Sequence, residues 1–285
     1  MITGSTDGIG KAAAISLAKT GYTIIIHGRN EKKIENVIRE IKEKSGNEKI
    51  YGFRADLLSF EEIKKMSEEI KKRFDRIDVL INNAGGIFGK KRELTVDGYE
   101  KTLTLNLFSP LLITLLLLDL LSKSESARII FTSSLLYRYA KRPDFNDFQF
   151  EKNYSSFRAY ALSKLYVIWI ARHLSSELRA RGYKNINVYT LHPGAVATNF
   201  GKNVEKGILW TILLNLGRPF MSKPEEGALT AVYLASSKDV ENLNGKFFAG
   251  MREIKVKDKY YSNENENILW NLCMKIIEPY LDRKF

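Results

Sequence analysis

Two stretches of this chain have residue types and spacing that could do chemistry: Tyr160-Ala161-Leu162-Ser163-Lys164, and the glycine turn Thr3-Gly4-Ser5-Thr6-Asp7-Gly8-Ile9-Gly10. If residues 157 to 181 form a helix, Tyr160 and Lys164 lie four apart and project from one face. An ammonium beside a phenol favours phenolate, so a hydroxyl that ordinarily ionises near pH ~10 trades a proton closer to neutrality. Such a tyrosine can give a proton to a carbonyl oxygen as hydride reaches its carbon, or take one from an alcohol in reverse. A glycine turn that opens a helix presents free N–H groups and a positive dipole end to a pyrophosphate, which suits a dinucleotide hydride carrier. Either stretch alone is weak, since amphipathic helices scatter Tyr and Lys at this spacing and glycine turns are often structural. Their order, with the right elements between them, carries the inference.

Those elements alternate. Residues 9 to 20 read as a helix stopped by Gly21, and 23 to 27 as a buried strand. Residues 31 to 45 place Ile34, Val37, Ile38 and Ile41 on one face of an amphipathic helix. A strand at 50 to 55 follows, and then a helix carrying Ile63, Met66, Ile70 and Phe74, with Ser59 and Glu62 as its capping box. Short strands at 78 to 82, 128 to 132 and 186 to 191 continue the rhythm, which predicts a parallel sheet with right-handed crossovers. The fold class expected is α/β, a Rossmann-type doubly wound parallel sheet forming a single domain over residues 1 to 285. Its first strand reads as cut short, because Met1-Ile2-Thr3 supplies three residues where about five apolar ones launch such a turn. Either an apolar strand is encoded upstream of Met1, which is the expectation, or the chain tolerates a stub of a central strand. Ser222 to Glu225 reads as a further helix cap, and residues 263 to 277 as a final amphipathic helix.

Ligands of open α/β sheets collect at the carboxyl ends of the strands, so residues there are the candidates for binding. After the second strand stand Gly28, Arg29 and Asn30 in place of the acidic residue that would bond a ribose 2′-hydroxyl. A guanidinium suits a 2′-phosphate, although Arg29 also reads as an ordinary exposed loop arginine. Asp56 and Leu57 stand where side chains reach an adenine edge, and Asn82-Asn83-Ala84-Gly85-Gly86 forms a small-residue turn beside the presumed cofactor. Ser133 and Ser134 end the strand at 128 to 132, and His192-Pro193-Gly194 closes the strand at 186 to 191, with His192 read as structural. The aromatics of residues 135 to 156 divide between plain packing and the lining of a hydrophobic substrate pocket.

Bulk composition sets limits. The chain has 285 residues, 44% of them hydrophobic, enough for a packed core, with no linker or repeat to divide it. Cys273 is the only cysteine and there are three histidines, so no intrachain disulfide forms and no metal site is expected. A reducing, cytoplasmic setting is the default. The net charge of +12 is read as a Lys-rich solvated surface, with attraction to anionic lipid or a phosphate-rich cofactor as the other reading. Nucleic acid is not expected as a partner, because no helix-turn-helix, zinc-finger or aromatic RNA-binding pattern accompanies the charge. Residues 103 to 121 are very apolar, but Asn106, Pro110, Thr114 and Asp119 interrupt them short of the roughly 18 to 20 residues that cross a bilayer. They read as a sheet-covering or subunit-pairing helix.

Together these residues resemble the short-chain dehydrogenase/reductase family, over essentially the whole chain. Thr3 to Gly10 is similar to its TGxxxGxG turn, Asn82 to Gly85 to its NNAG, and Tyr160 to Lys164 to its YxxxK. Pro193, Gly194, Val196 and Thr198 fall in the segment that closes over nicotinamide. The resemblance implies Asn106, Ser134, Tyr160 and Lys164 as the catalytic set, with Ser134 on the substrate oxygen and Asn106 positioning a relay water. It implies cofactor contacts from Gly4, Ser5, Thr6, Asp7, Gly8, Ile9, Gly10, Arg29, Asn30, Asp56, Leu57, Asn83, Ala84, Gly85, Tyr160 and Lys164. Lys91-Arg92-Glu93-Leu94-Thr95, Gly245-Lys246-Phe247-Phe248 and the long insertion before Tyr160 look most like the retinol-dehydrogenase and WW-domain-oxidoreductase branch. That branch implies NADP(H) rather than NAD(H), and a lipophilic alcohol or carbonyl substrate of retinoid, steroid or alkyl-aldehyde type. A substrate lid is expected around residues 200 to 222, where an apolar stretch flanked by Lys202, Lys206, Arg218 and Lys223 reads as a lid, a patch lying in a membrane interface, or core. Peripheral contact with an intracellular membrane and a homodimer are further expectations. The rival readings are a nonenzymatic NADP(H) sensor or scaffold of the same fold, and an NAD-linked dehydrogenase for a steroid or sugar alcohol.

Overall fold

The computed structural model describes residues 1–194, 196 and 222–285. In chain order the elements that matter here are α1 Gly8–Lys19, β1 Ile24–Gly28, α2 Glu31–Ser45, β2 Ile50–Arg54, α3 Phe60–Arg73, β3 Val79–Asn82, α4 Lys101–Leu103, a π-helical turn Thr104–Phe108 and α5 Ser109–Leu116. They continue with α6 Leu118–Ser122, β4 Ala127–Thr132, α7 Ser156–Ala180, β5 Ile186–Leu191, α8 Pro224–Ser236, β6 Phe247–Ala249, β7 Arg252–Glu253 and α9 Asn263–Ile277.

Main-chain pairing defines the topology. β1 pairs with β2, and β3, β4, β5 and β6 follow one another, all in parallel, before β7 turns back antiparallel. Ile2 bridges Ile26 on one side and Ile81 on the other, both in parallel. The three residues ahead of the glycine turn therefore stand in the central strand position, with Ile2 N–H on the Ile25 carbonyl at 2.9 Å and Thr3 N–H on the Ile81 carbonyl at 3.0 Å. The resulting order, β2, β1, Ile2, β3, β4, β5, β6, is doubly wound, with the crossover reversing beside the glycine turn.

Helices cover both faces. α1, α2 and α8 bury Ala13, Ala14, Leu17, Ile34, Ile41 and Leu234 against one side of the sheet. On the other side α3, the π-helical turn, α5 and α7 bury Phe60, Ile63, Phe108, Leu112, Trp169 and Leu174. Local signals place the helix ends: Asn30 accepts from the Lys33 N–H to start α2, and Gly46, at φ 67°, terminates it in the left-handed region. Every residue of α5 is buried by its own chain, which makes it sheet-covering and leaves no face for pairing subunits. Among the described residues no helix is long and apolar enough to cross a membrane.

Two local expectations change. Ser59 does accept from the Glu62 N–H, but Glu62 reaches the N–H of Asp56 at 2.8 Å and the guanidinium of Arg54 at 3.1 Å rather than closing the box. The charge on Arg54 draws the carboxylate away. Ser222 bridges Val196 in parallel instead of capping α8, whose first turn begins with Pro224, a residue with no N–H to cap. The aromatic excursion is mostly packing: Phe148 meets Phe108 and Tyr166, and Phe145 stacks on Tyr166.

The contact of α2 with β2 requires a glycine, because a Cβ on Gly52 would lie 2.2 Å from Ile34 Cγ2. Gly52→Ala is expected to destabilise the chain by about 1–3 kcal/mol through overpacking, read from urea unfolding midpoints.

Candidate active site

The glycine turn leaves the central strand at Thr3 and is pinned from both sides. Thr3 Oγ1 accepts the N–H groups of Asn83 and Ala84, each at 3.0 Å, while the Asn83 amide donates to the Thr3 carbonyl at 2.9 Å. From β1, His27 Nδ1 accepts the N–H of Gly4 at 3.0 Å, and Ser5 exchanges hydrogen bonds with the His27 main chain. Gly4 (φ 62°) and Gly8 (φ 52°) occupy the left-handed region that only glycine enters freely. Gly10 is required by close approach: a Cβ there would lie 2.5 Å from Asn83 Nδ2 and 2.7 Å from the Gly4 carbonyl. Asp7 caps α1 through its own Oδ1 on the Gly8 N–H and pairs with Lys33 at 3.2 Å. Thr6 packs over Gly28, where a Cβ would sit 2.6 Å from its methyl, and Ile9 lies between the turn and Gly227 of α8.

Around the end of β1, Arg29 and Asn30 are exposed, with Asn30 engaged as the α2 cap. Asp56 holds the Leu58 N–H at 3.1 Å. The Leu57 side chain is buried in the core beside α3, so it offers a ligand main chain only. The expectation that its side chain reaches an adenine edge is corrected by that packing.

Four residues converge at the ends of β3, β4 and β5. Asn106, in the π-helical turn, accepts the Gly86 N–H at 2.9 Å and donates to the Gly86 carbonyl at 2.9 Å and to Ser163 Oγ at 3.0 Å. Insertion of one residue into the helical ladder there turns its amide toward the loop after β3. Lys164 Nζ donates to the Thr132 carbonyl at 2.9 Å. A Cβ on Gly85 would lie 3.0 Å from Asn106 Oδ1 and 3.1 Å from Lys164 Nζ, so this glycine lets both groups approach the same point. The Tyr160 and Ser134 side chains lie close enough for the serine to favour phenolate. Ser133, the alternative serine, is buried and donates to the Lys164 carbonyl at 2.7 Å, a structural bond.

The electrostatics differ from the expectation based on spacing. Lys164 and Tyr160 do share a helix face, with Nζ 5.7 Å from the ring centroid. Burial nevertheless pushes the Tyr160 hydroxyl up to about 12, with Ser134 opposing it, and pushes the Lys164 amine down to about 7. A dry site disfavours both ions, and the lysine directs its proton at a carbonyl of β4 rather than at the phenol. At neutral pH this tyrosine keeps its proton, the state of a donor.

Pro193 and Gly194 follow β5, where His192 Nδ1 accepts the Gly194 N–H at 3.2 Å and its ring lies against Phe247, the structural part expected of it. Val196 packs on Gly227. Thr198 and the lid around residues 200 to 222, except Ser222, lie outside the described residues. Among the described residues no group of three metal-ligating side chains occurs.

Residues 1–208 match the family model described as short chain dehydrogenase. The chain belongs to that family. This short-chain dehydrogenase falls in the retinol dehydrogenase branch: it is 33% identical over 286 residues to human retinol dehydrogenase 14, covering 95% of this chain and 84% of that protein. It is 34% identical over 278 residues to human polyprenol dehydrogenase, covering 95% and 82%. Among solved structures, a provisionally assigned short chain dehydrogenase of Shigella flexneri 2a in complex with NADP superposes with a TM-score of 0.68 at 25% identity, covering 88% of this chain and 95% of that one. The enzyme is thus an oxidoreductase of a family that binds a nicotinamide cofactor. Its glycine turn, helix dipole and strand-edge N–H groups fit a dinucleotide.

Sequence reading missed several supporting residues. Thr3, His27, Ser163 and the Thr132 carbonyl each hold a site group, yet each acts through a contact across the fold that has no signature in local spacing.

The buried lysine yields a measurable linkage. Between about pH 7 and 10.5 the unfolded chain binds the Lys164 proton and the folded chain does not, so stability rises with pH across that window. Comparing Lys164→Met with wild type by urea unfolding, the stability difference should shift in favour of wild type by about 1.4 kcal/mol per pH unit from pH 7 to 9.

Proposed function

We propose that this short-chain dehydrogenase interconverts an alcohol and a carbonyl on a lipophilic substrate with NADP(H), using Tyr160 as proton donor and acceptor. The reading is carried by one observation: a buried tyrosine at the carboxyl edge of a parallel sheet, one helical turn from a buried lysine whose Nζ lies 5.7 Å from its ring. The bound nicotinamide supplies or accepts the hydride.

The chain's residues do the rest. Ser134 holds the substrate oxygen by hydrogen bonding, which orients the carbonyl and moves charge onto its oxygen. Tyr160 passes its proton to that oxygen in reduction and recovers one from the alcohol in oxidation. Lys164, already able to exchange a proton near neutrality, feeds the tyrosine and grips the nicotinamide ribose, while Asn106 orders the water that connects it to solvent. Arg29, exposed after β1 with no acidic residue beside it at the strand end, supports a 2′-phosphate and hence NADP(H). The lipophilic substrate class is supported by the retinol and polyprenol dehydrogenases among the relatives.

Tyr160→Phe should lower kcat by about 10²–10⁴ while leaving the NADPH dissociation constant within about threefold, measured by single-turnover absorbance and fluorescence titration with a panel of aldehydes and ketones. Unchanged turnover would remove the tyrosine from the mechanism. Arg29→Asp should weaken NADPH binding by about tenfold or more and leave NADH binding the same or better, because a carboxylate repels the 2′-phosphate and bonds the 2′-hydroxyl. Equal affinities for both cofactors in wild type and variant would put the phosphate reading aside.

A further inference from the structure

His27 is the one titratable ring that the mechanism leaves unused yet lies against the cofactor turn. It is 2% exposed, at the fourth position of β1. Nδ1 accepts the Gly4 N–H at 3.0 Å, and Nε2 faces the Ala55 carbonyl at 3.0 Å. An amide N–H can only donate and a carbonyl can only accept. The ring must therefore offer a lone pair at Nδ1 and a proton at Nε2, which defines one neutral tautomer. Imidazolium would set two N–H groups against each other at Gly4, and the opposite tautomer would fail at both contacts.

We propose that His27 is a positioning residue for the dinucleotide turn: its ring, locked as the Nε2–H tautomer, tethers the Gly4 N–H to the end of β2 and fixes the turn in the shape that receives the cofactor. The inference rests on the NADP(H) reading above. Gly4 is the residue where this matters, because its φ of 62° is a conformation with several open alternatives for a glycine. Thr3 and Asn83 pin the turn from the β3 side. His27 supplies the side-chain contact from the β1 side, and its main chain pairs with Ser5 as well, accepting the Ser5 N–H at 3.0 Å and donating to Ser5 Oγ at 3.0 Å. Because Ala55 precedes Asp56, one ring couples the first glycine of the turn to the strand end beneath the adenine side. The charged groups facing it are Asp56, which favours imidazolium, and Arg29, which opposes it; burial outweighs both and pushes the ring down to about 4. The ring thus stays neutral through the working range.

The test separates positioning from bulk stability. In His27→Leu the Gly4 N–H loses its acceptor, and both the NADPH dissociation constant and the KM for NADPH should rise about tenfold or more while kcat stays within about threefold. His27→Gln, whose amide carries one acceptor and one donor on a comparable reach, should return affinity to within about threefold of wild type, whereas the shorter His27→Asn should not. Long-range ¹H–¹⁵N spectra of histidine-labelled protein should show His27 as the Nε2–H tautomer, unchanged from pH 6 to 8. NADPH affinity in His27→Leu within about twofold of wild type, a Gln variant as weak as the Asn one, or an Nδ1–H signal would each overturn the assignment. Should His27→Leu not fold, the Gln and Asn pair and the spectra decide. Wild-type protein that binds neither NADPH nor NADH overturns the cofactor reading itself, a result separate from any difference among the variants.

Discussion

Where parallel strands stop, their last N–H and C=O groups have no neighbouring strand to meet, and a buried group left unpaired costs more than a made bond returns. In this chain side chains meet those groups at the carboxyl edge. Thr3 Oγ1 serves Asn83 and Ala84, Ser5 Oγ links the Ile2 carbonyl to the His27 N–H, Asn106 closes on both main-chain groups of Gly86, and Lys164 takes the Thr132 carbonyl. Each bond is worth only about 0.5–1.5 kcal/mol net, but together they leave the edge with few alternative shapes. A rigid, water-poor edge is what a hydride-transfer site requires, since donor and acceptor must be held without reorganisation.

The same dryness sets the acid–base behaviour. Tyr160 and Lys164 sit where neither ion is well solvated, so the phenol is held above its ordinary range and the amine below it. The two pKa values move apart, so the neutral pair of phenol and amine is the favoured state, and a phenolate left by proton transfer to substrate is readily reprotonated. A further buried acid organises the segment after β3. Glu100 accepts the N–H groups of Thr102 and Leu103 at 2.9 and 2.7 Å, its own N–H meets Gln149 Oε1 at 3.0 Å, and Arg92 donates to the Gln149 carbonyl at 2.7 Å. Burial raises the Glu100 carboxyl. The loop after β3 is thereby tied to the aromatic excursion ahead of α7, which accounts for aromatics there that pack inward.

Much of the fold was legible because it follows from short-range rules. The 3.6-residue apolar spacing of Ile34, Val37 and Ile41 placed α2 at its observed bounds, and the alternation of such helices with short apolar runs implied the doubly wound sheet. Where a rule failed, a longer-range partner had intervened: Arg54 drew Glu62 out of its capping box, and the core beside α3 took the Leu57 side chain away from the strand edge. That three residues ahead of the glycine turn occupy the central strand position was one of two readings the sequence left open, because strand pairing is settled between segments some 25 and 80 positions apart, as in Ile2 with Ile26 and Ile81.

Residue identity and spacing alone determined which atoms can do chemistry here: a phenol and an amine one helical turn apart, a glycine turn opening a helix, and a guanidinium where an acid would select NAD. Tertiary structure alone decided their states. Whether a lysine acidifies its tyrosine depends on where its proton points and how much water reaches it, and both are consequences of β4 and α7 closing over the pair. The fixed tautomer of His27 has the same origin, since it needs Gly4 on one side and Ala55 on the other, two groups brought together only when the sheet assembles.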